Sequence, residues 1–130
     1  MDSVNLSHDA VRILIADDNQ LVRRGVAGLL SSQQGYEVCG EAADAREAIE
    51  KACALRPDVL LLDVSMPDRN GLETARILRE KVPETRILIM SQHDPIQLRA
   101  RTLEAGAHGC VDKARIAKEL LPAIREVMEK

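Results

Sequence analysis

Asp58-Val59-Leu60-Leu61-Leu62-Asp63 is the stretch that decides the fold. Four consecutive aliphatic residues between two carboxylates are too few for a helix. They are too continuous for a strand with one wet face. Such a run suits a strand buried on both sides, as in parallel sheets covered by helices. Pro57 stops whatever precedes it, and a loop over Val64–Asn70 follows.

Upstream, the same pattern recurs. Val11-Arg12-Ile13-Leu14-Ile15-Ala16 is a nearly all-apolar run ending in Asp17-Asp18. Asn19 is placed to cap a helix with apolar positions Val22, Val26, Leu29 and Leu30, and Gly35 closes that unit. Tyr36–Ala42 reads as a weaker strand nearer an edge, with Tyr36 and Val38 inward and Glu37 outward. Asp44 and Glu47 make a D-x-x-E start, close to a capping box. The helix it opens carries its inward stripe on Ala48, Ile49, Ala52 and Cys53.

Downstream, a third helix runs through Leu72, Ala75, Ile77 and Leu78 until Pro83 breaks it. Ile87–Met90 is the next buried strand and ends at Ser91. Asp94-Pro95 opens a fourth helix, with Pro at the first helical position, and Gly106 closes it. His108–Asp112 is a short fifth strand with Lys113 directly after it. The last helix uses Ile116, Leu120, Ile124, Val127 and Met128, and Pro122 inside that pattern predicts a kink or a late start. Five strands alternating with five helices mean an α/β domain, a parallel sheet with helices on both faces.

The 130 residues suit one domain over 11–130 behind a loose tail of residues 1–10. With 45% apolar residues the chain can fill a core without disulfides. Tyr36 is the only aromatic residue, so there is no platform for stacking single-stranded nucleic acid. The net charge of −3 lacks the basic footprint of a DNA-binding surface. Cys39, Cys53 and Cys110 form neither a C-x-x-C pair nor a zinc pattern, and read as buried small hydrophobes in a reducing compartment. No apolar run approaches the roughly 18 residues of a membrane span. The first ten residues lack the basic start and apolar stretch of a signal peptide. A cytoplasmic location is expected.

Function lies in where the polar residues fall. Asp17, Asp18, Asp63, Ser91 and Lys113 each sit at or just past the carboxyl end of a predicted strand. In a parallel sheet those ends share one edge, where ligands bind. Taken singly, each has a bland reading: a helix cap, a turn residue, a local backbone bonder, a surface lysine. Their joint placement points to chemistry. Three carboxylates brought together repel one another unless a cation neutralises them. Oxygen ligands of this kind suit Mg²⁺. Asp63 can then attack phosphorus as a carboxylate nucleophile. Lys113 can pair with Asp63 first and with a phosphoryl oxygen afterwards, and Ser91 can donate to another.

These residues resemble the receiver domain of two-component response regulators, over essentially Val11 to Glu129. The matching motifs are Ile15-Ala16-Asp17-Asp18, the run Leu61-Leu62-Asp63-Val64-Ser65-Met66-Pro67 with Gly71, Met90-Ser91, and Lys113 after Gly109-Cys110-Val111-Asp112. Arg23-Arg24-Gly25, Asp68-Arg69-Asn70-Gly71, Ser91-Gln92-His93-Asp94 and Glu104-Ala105-Gly106-Ala107 look most like the subfamily joined to a helix-turn-helix (LuxR/NarL-type) output domain.

The resemblance implies a flavodoxin-like (βα)₅ fold with strand order 2-1-3-4-5. It implies Mg²⁺ held by Asp18, Asp63, the backbone carbonyl of Ser65, and Asp17 through water. It implies a sensor histidine kinase or phosphotransfer protein as phosphodonor, with the receiver catalysing transfer onto Asp63 and later hydrolysis. A homodimer on phosphorylation, and DNA control through an output domain outside this chain, are also within its reach. In the chain Cys110 stands where many receivers carry Tyr or Phe. Ala114 stands where many carry Pro after a cis peptide, so a trans bond is expected there. Ser65 and His93, two residues past Asp63 and Ser91, hold the positions that by resemblance tune loss of the phosphoryl group.

Two other classes fit less well. A haloacid-dehalogenase-type phosphatase would carry a second Asp at the place of Ser65. A flavodoxin-like cofactor binder would need a phosphate-binding loop where Asp17-Asp18-Asn19-Gln20 is acidic.

Overall fold

The computed structural model describes residues 10–92 and 95–130. The expected tail up to residue 9, His93, and the capping Asp94 lie outside the described residues. Strands β1 (Val11–Ala16), β2 (Tyr36–Ala42), β3 (Val59–Asp63), β4 (Arg86–Ser91) and β5 (Gly109–Asp112) form one sheet. Its order is β2-β1-β3-β4-β5, with every neighbouring pair parallel. The helices are α1 (Gln20–Ser31), α2 (Ala45–Leu55), α3 (Gly71–Lys81), α4 (Pro95–Glu104) and α5 (Ile116–Met128).

All five residues of β3 are buried, as its unbroken apolar run requires. Alternation along the strands splits the core into two layers. Leu14, Ala16, Leu60, Leu62, Ile87 and Ile89 face α2 and α3, where they meet Ala48, Ala52, Ala75 and Leu78. Ile13, Ile15, Leu61, Leu88 and Met90 face α1 and α5, against Val26, Leu30, Leu120, Ile124 and Val127. Each fully buried Leu or Ile contributes about 1.5–3 kcal/mol. The strong layering therefore fixes the register of every strand, and so the positions of the polar residues at their ends.

Local signals place the helix starts. Asn19 Oδ1 accepts from the N–H groups of Leu21 and Val22, and Asn70 Oδ1 accepts from Leu72. Asp44 Oδ1 accepts from Glu47 N–H at 2.7 Å, while Glu47 Oε1 accepts from Ala43 N–H, so the D-x-x-E start is a reciprocal cap. Asp68, from the loop after β3, adds a second carboxylate on the N–H groups of Ala45 and Arg46.

Several expectations change in detail. The pairing of β1 with β2 shifts between Ile13 and Leu14, leaving Cys39 as an extra residue before Gly40. A Cβ on Gly40 would stand 3.0 Å from Leu55 Cδ1 and 3.3 Å from Leu14 Cδ1 and would press on both side chains. The three cysteines are half-buried, in no disulfide, and packed against the core rather than fully inside it. Helix α5 starts at Ile116, after a 3₁₀ turn over Lys113–Arg115, and runs through Pro122, so the late start does not occur. The Lys113–Ala114 bond is trans.

His108, to which no partner could be assigned from sequence, joins two strands. Its N–H donates to Ile87 O at 2.8 Å, and its Nδ1 accepts from Ile87 N–H at 3.0 Å. Burial holds the imidazole below its ordinary pKa of 6.5, and the cations Arg79, Arg86 and Lys130 push the same way. The folded chain therefore binds this proton less readily than the unfolded chain. Stability from His108 is full above about pH 6.5 and is lost as pH falls toward the lower folded value. In His108→Gln, whose amide oxygen can accept without titrating, chemical denaturation between pH 7 and 5 should show a shallower loss. Equal slopes for the two proteins would remove His108 as the cause.

Candidate functional site

The carboxyl edge of the sheet gathers the polar residues into a cleft of about 160 Å³. It is lined by Asp17, Asp18, Asn19, Asp63, Ser65, Gln92 and Lys113, together with Val22. A larger apolar groove of about 720 Å³ lies alongside, between α1 and the start of α5, and shares Val22, Gln92 and Lys113 with it. The chemistry belongs to the smaller one, where the charges are.

Asp17 is fully buried and Asp63 nearly so, whereas Asp18 is exposed at the rim. One oxygen from each lies within 4.8 Å of the others. Lys113 Nζ reaches Asp17 Oδ2 at 2.6 Å and Asp63 Oδ1 at 3.3 Å. The lysine therefore sits closer to Asp17 than to Asp63, the reverse of the pairing emphasised from sequence. Asn19 N–H donates to Asp17 Oδ1 at 2.8 Å, and Ser65 N–H to Asp63 Oδ1 at 3.0 Å. Asp17 Oδ2 is buried and faces the Lys113 ammonium.

Three carboxylates against one ammonium leave two negative charges in the cleft. The protonation preferences follow. Burial lifts the Asp63 carboxyl above its ordinary range, and the charge of Asp17 lifts it further against the pull of Ser65 N–H and Lys113. Burial alone would pull Lys113 down, but the Asp17 and Asp63 carboxylates outweigh it and hold the ammonium charged. Both directions are compatible because Lys113 spends its charge mainly on Asp17, leaving Asp63 undercompensated. That excess of negative charge favours a cation. The donor set is all oxygen, from three carboxylates of which two are buried. That fits a hard metal cation.

The loop after β3 is shaped around Gly71. Gly71 N–H donates to Val64 O at 2.8 Å, and Ser65 bridges Asn70. A Cβ on Gly71 would lie 2.6 Å from Val64 Cα and 2.7 Å from Asp63 O. This close approach holds Ser65 against the cleft. Ser91 is buried at the end of β4, and its neighbour Gln92 lines the cleft. Cys110 lies half-buried on β5, where burial pushes its thiol up against Arg99 and Thr102, the opposite of a reactive thiolate.

Of the residues expected from sequence, Asp17, Asp18, Asp63, Ser65 and Lys113 line the cleft and Ser91 is buried at the end of β4; Asn19 and Gln92 also line it, and Arg23 lies outside it on the Asp17 carbonyl, none of them expected there. Asn19 had a visible signal, being next to the acidic pair. Arg23 had none, because its partners lie on other elements.

The profile of the response regulator receiver domain matches residues 13–125. The chain is 38% identical over 117 residues to the DNA-binding transcriptional activator DevR/DosR of Mycobacterium tuberculosis, covering 90% of this chain and 54% of that protein. It is 33% identical to the transcriptional regulatory protein DegU of Brevibacillus brevis, covering 95% and 52% respectively. The chain thus spans about half the length of these relatives. Among solved structures, the receiver domain of NarL from Mycobacterium tuberculosis superposes with a TM-score of 0.86 at 35% identity, covering 93% of this chain and 98% of that one. A LuxR-family two-component response regulator from Aurantimonas sp. gives 0.87 at 35% identity, covering 92% and 86%.

Proposed function

The chain belongs to the response regulator receiver domain family, and from that premise we propose that it is a signalling switch operated by phosphorylation of Asp63. The observation that carries this reading is the shared ammonium: Lys113 bridges Asp17 and Asp63 in a cleft still two negative charges in excess. A histidine kinase or phosphotransfer protein is the donor. A carboxylate oxygen of Asp63 forms the new O–P bond as the N–P bond of phosphohistidine breaks, and the imidazole leaves with the electron pair.

Asp17, Asp18, Asp63 and the Ser65 carbonyl would hold Mg²⁺. When bound, the ion supplies charge neutralisation for the carboxylates and the phosphoryl oxygens. The chain's own residues do the rest. Lys113 is free to follow the incoming charge because it already sits between both carboxylates. Ser91, one strand over from β3, supplies a hydroxyl at the end of β4. The phosphoryl group gives one conformation a differential free energy, which is the requirement for a switch.

The relatives' names favour transcription as the output, through a DNA-binding domain beyond this chain. Among the described residues no helix is long and apolar enough to cross a membrane.

The test uses a small phosphodonor with Mg²⁺ and intact-mass detection. The wild-type chain should gain the mass of one phosphoryl group, and Asp63→Asn should gain none. Mass gain that persists in Asp63→Asn would sink the assignment, as would no gain in the wild type with every donor and the cognate kinase.

A further inference from the structure

Two of the three carboxylates sit on the turn after β1, and an arginine outside the cleft holds that turn. We infer that Arg23 is the positioning residue that sets the cation affinity of the Asp17–Asp18 pair, an inference that rests on the metal-binding reading above.

Arg23 lies in the first turns of α1 with only 15% of its side chain exposed. Its Nη1 donates to the backbone carbonyl of Asp17 at 2.6 Å, and its Nε donates to Glu41 Oε1 on β2 at 2.9 Å. Glu41 is itself steadied, because the Lys51 ammonium donates to its carbonyl. The guanidinium thus ties α1, the end of β1 and the edge strand together. The carbonyl of Asp17 and the N–H of Asp18 share one rigid peptide plane. Holding that carbonyl therefore fixes the direction in which Asp18 leaves the turn. Asp17 is secured independently through Asn19 N–H on its Oδ1 and through its own N–H on Ala42 O. Asp18 is the exposed member, and its placement depends most on the clamp.

Arg23 acts on a bound cation in two opposed ways. Its positive charge repels the ion, while its clamp pre-organises the ligands. Glu41, in ion-pair contact with the guanidinium, offsets the charge. Pre-organisation therefore wins, and removing Arg23 weakens cation binding. Were charge dominant, removal would tighten it. That difference in sign makes the inference testable.

Mg²⁺ titration by calorimetry compares the wild-type chain with Arg23→Ala and Arg23→Lys. Arg23→Ala should bind Mg²⁺ about tenfold more weakly, the scale typical of groups that orient metal ligands. Arg23→Lys keeps the charge but cannot span both oxygens with a planar fork, and should lose affinity to a lesser degree. With a small phosphodonor, the Mg²⁺ concentration for half-maximal rate should rise in step, while the rate at saturating Mg²⁺ stays unchanged. A purely structural arginine would lower the melting temperature and leave the Mg²⁺ constant alone. Wild-type or tighter Mg²⁺ binding by Arg23→Ala overturns the role of Arg23. If that variant does not fold, the same result from Arg23→Lys overturns it. A wild-type chain that takes no Mg²⁺ overturns the metal reading of the site, and this inference with it.

Discussion

Lys113→Met is expected to lower the free energy of unfolding by about 3–5 kcal/mol in the absence of divalent ions, the cost of stranding one partner of a buried ion pair. Asp17 has no solvent exposure, and Lys113 is the cation at 2.6 Å from its Oδ2. Methionine keeps much of the volume, so packing changes little and the electrostatic loss dominates. Without the ammonium, Asp17, Asp18 and Asp63 face one another with nothing between them. Two controls separate charge from packing. Adding Asp17→Asn to Lys113→Met should recover part of the lost stability, because both charges of the pair are then gone. Saturating Mg²⁺ should recover part of it as well, by about 2.7 kcal/mol at a concentration one hundred times the dissociation constant. Urea unfolding followed by circular dichroism suits a chain with no tryptophan. A Lys113→Met midpoint equal to that of wild type would show that the buried carboxylates do not depend on this lysine.

Gly71→Ala is the second large effect. Alanine is worth up to about 1 kcal/mol more than glycine in a helix, so propensity alone would favour the change. The structure reverses that sign. The new Cβ would meet Val64 Cα at 2.6 Å and Asp63 O at 2.7 Å, both backbone atoms that cannot rotate away. Overpacking of this kind costs about 1–3 kcal/mol or more. The strain falls on the peptide that carries Asp63 and on the loop that presents Ser65, so the phosphorylation rate should drop along with stability. Gly28→Ala is the matched control. It lies in α1 with nothing within 4 Å of its Cβ, and should gain about 0.5–1 kcal/mol from propensity. Opposite shifts in the two midpoints are the expected result. Equal stabilisation of both variants would refute the steric account of Gly71.

The two variants show why only part of the molecule was legible. Apolar runs of four to six residues, ended by carboxylates or a hydroxyl, marked β1, β3 and β4 because a doubly covered strand must be apolar on both faces. Asn19 and Asp44 marked helix starts, since a cap acts within three residues of itself. The chemistry-bearing residues were visible for the same reason: parallel strands put their carboxyl ends on one edge whatever the loops do. His108 and Arg23 were not visible. Their partners, Ile87, the Asp17 carbonyl and Glu41, come from other strands, and no local spacing encodes them. The register shift at Cys39 was hidden too, because it exists only in the pairing of β2 with β1.

By itself, then, the sequence determined the alternation of strands and helices, the two-sided burial of the sheet, and the meeting of Asp17, Asp18, Asp63, Ser91 and Lys113 at one edge. Each is a matter of periodicity or of chain direction. Only the tertiary structure decided how the charges are shared. Lys113 favours Asp17 over Asp63, Asp63 is left undercompensated with its carboxyl raised, and Arg23 grips the acidic turn from outside. Coulomb energies vary with distance and burial over a few tenths of a nanometre, and those separations exist only once the strands are packed.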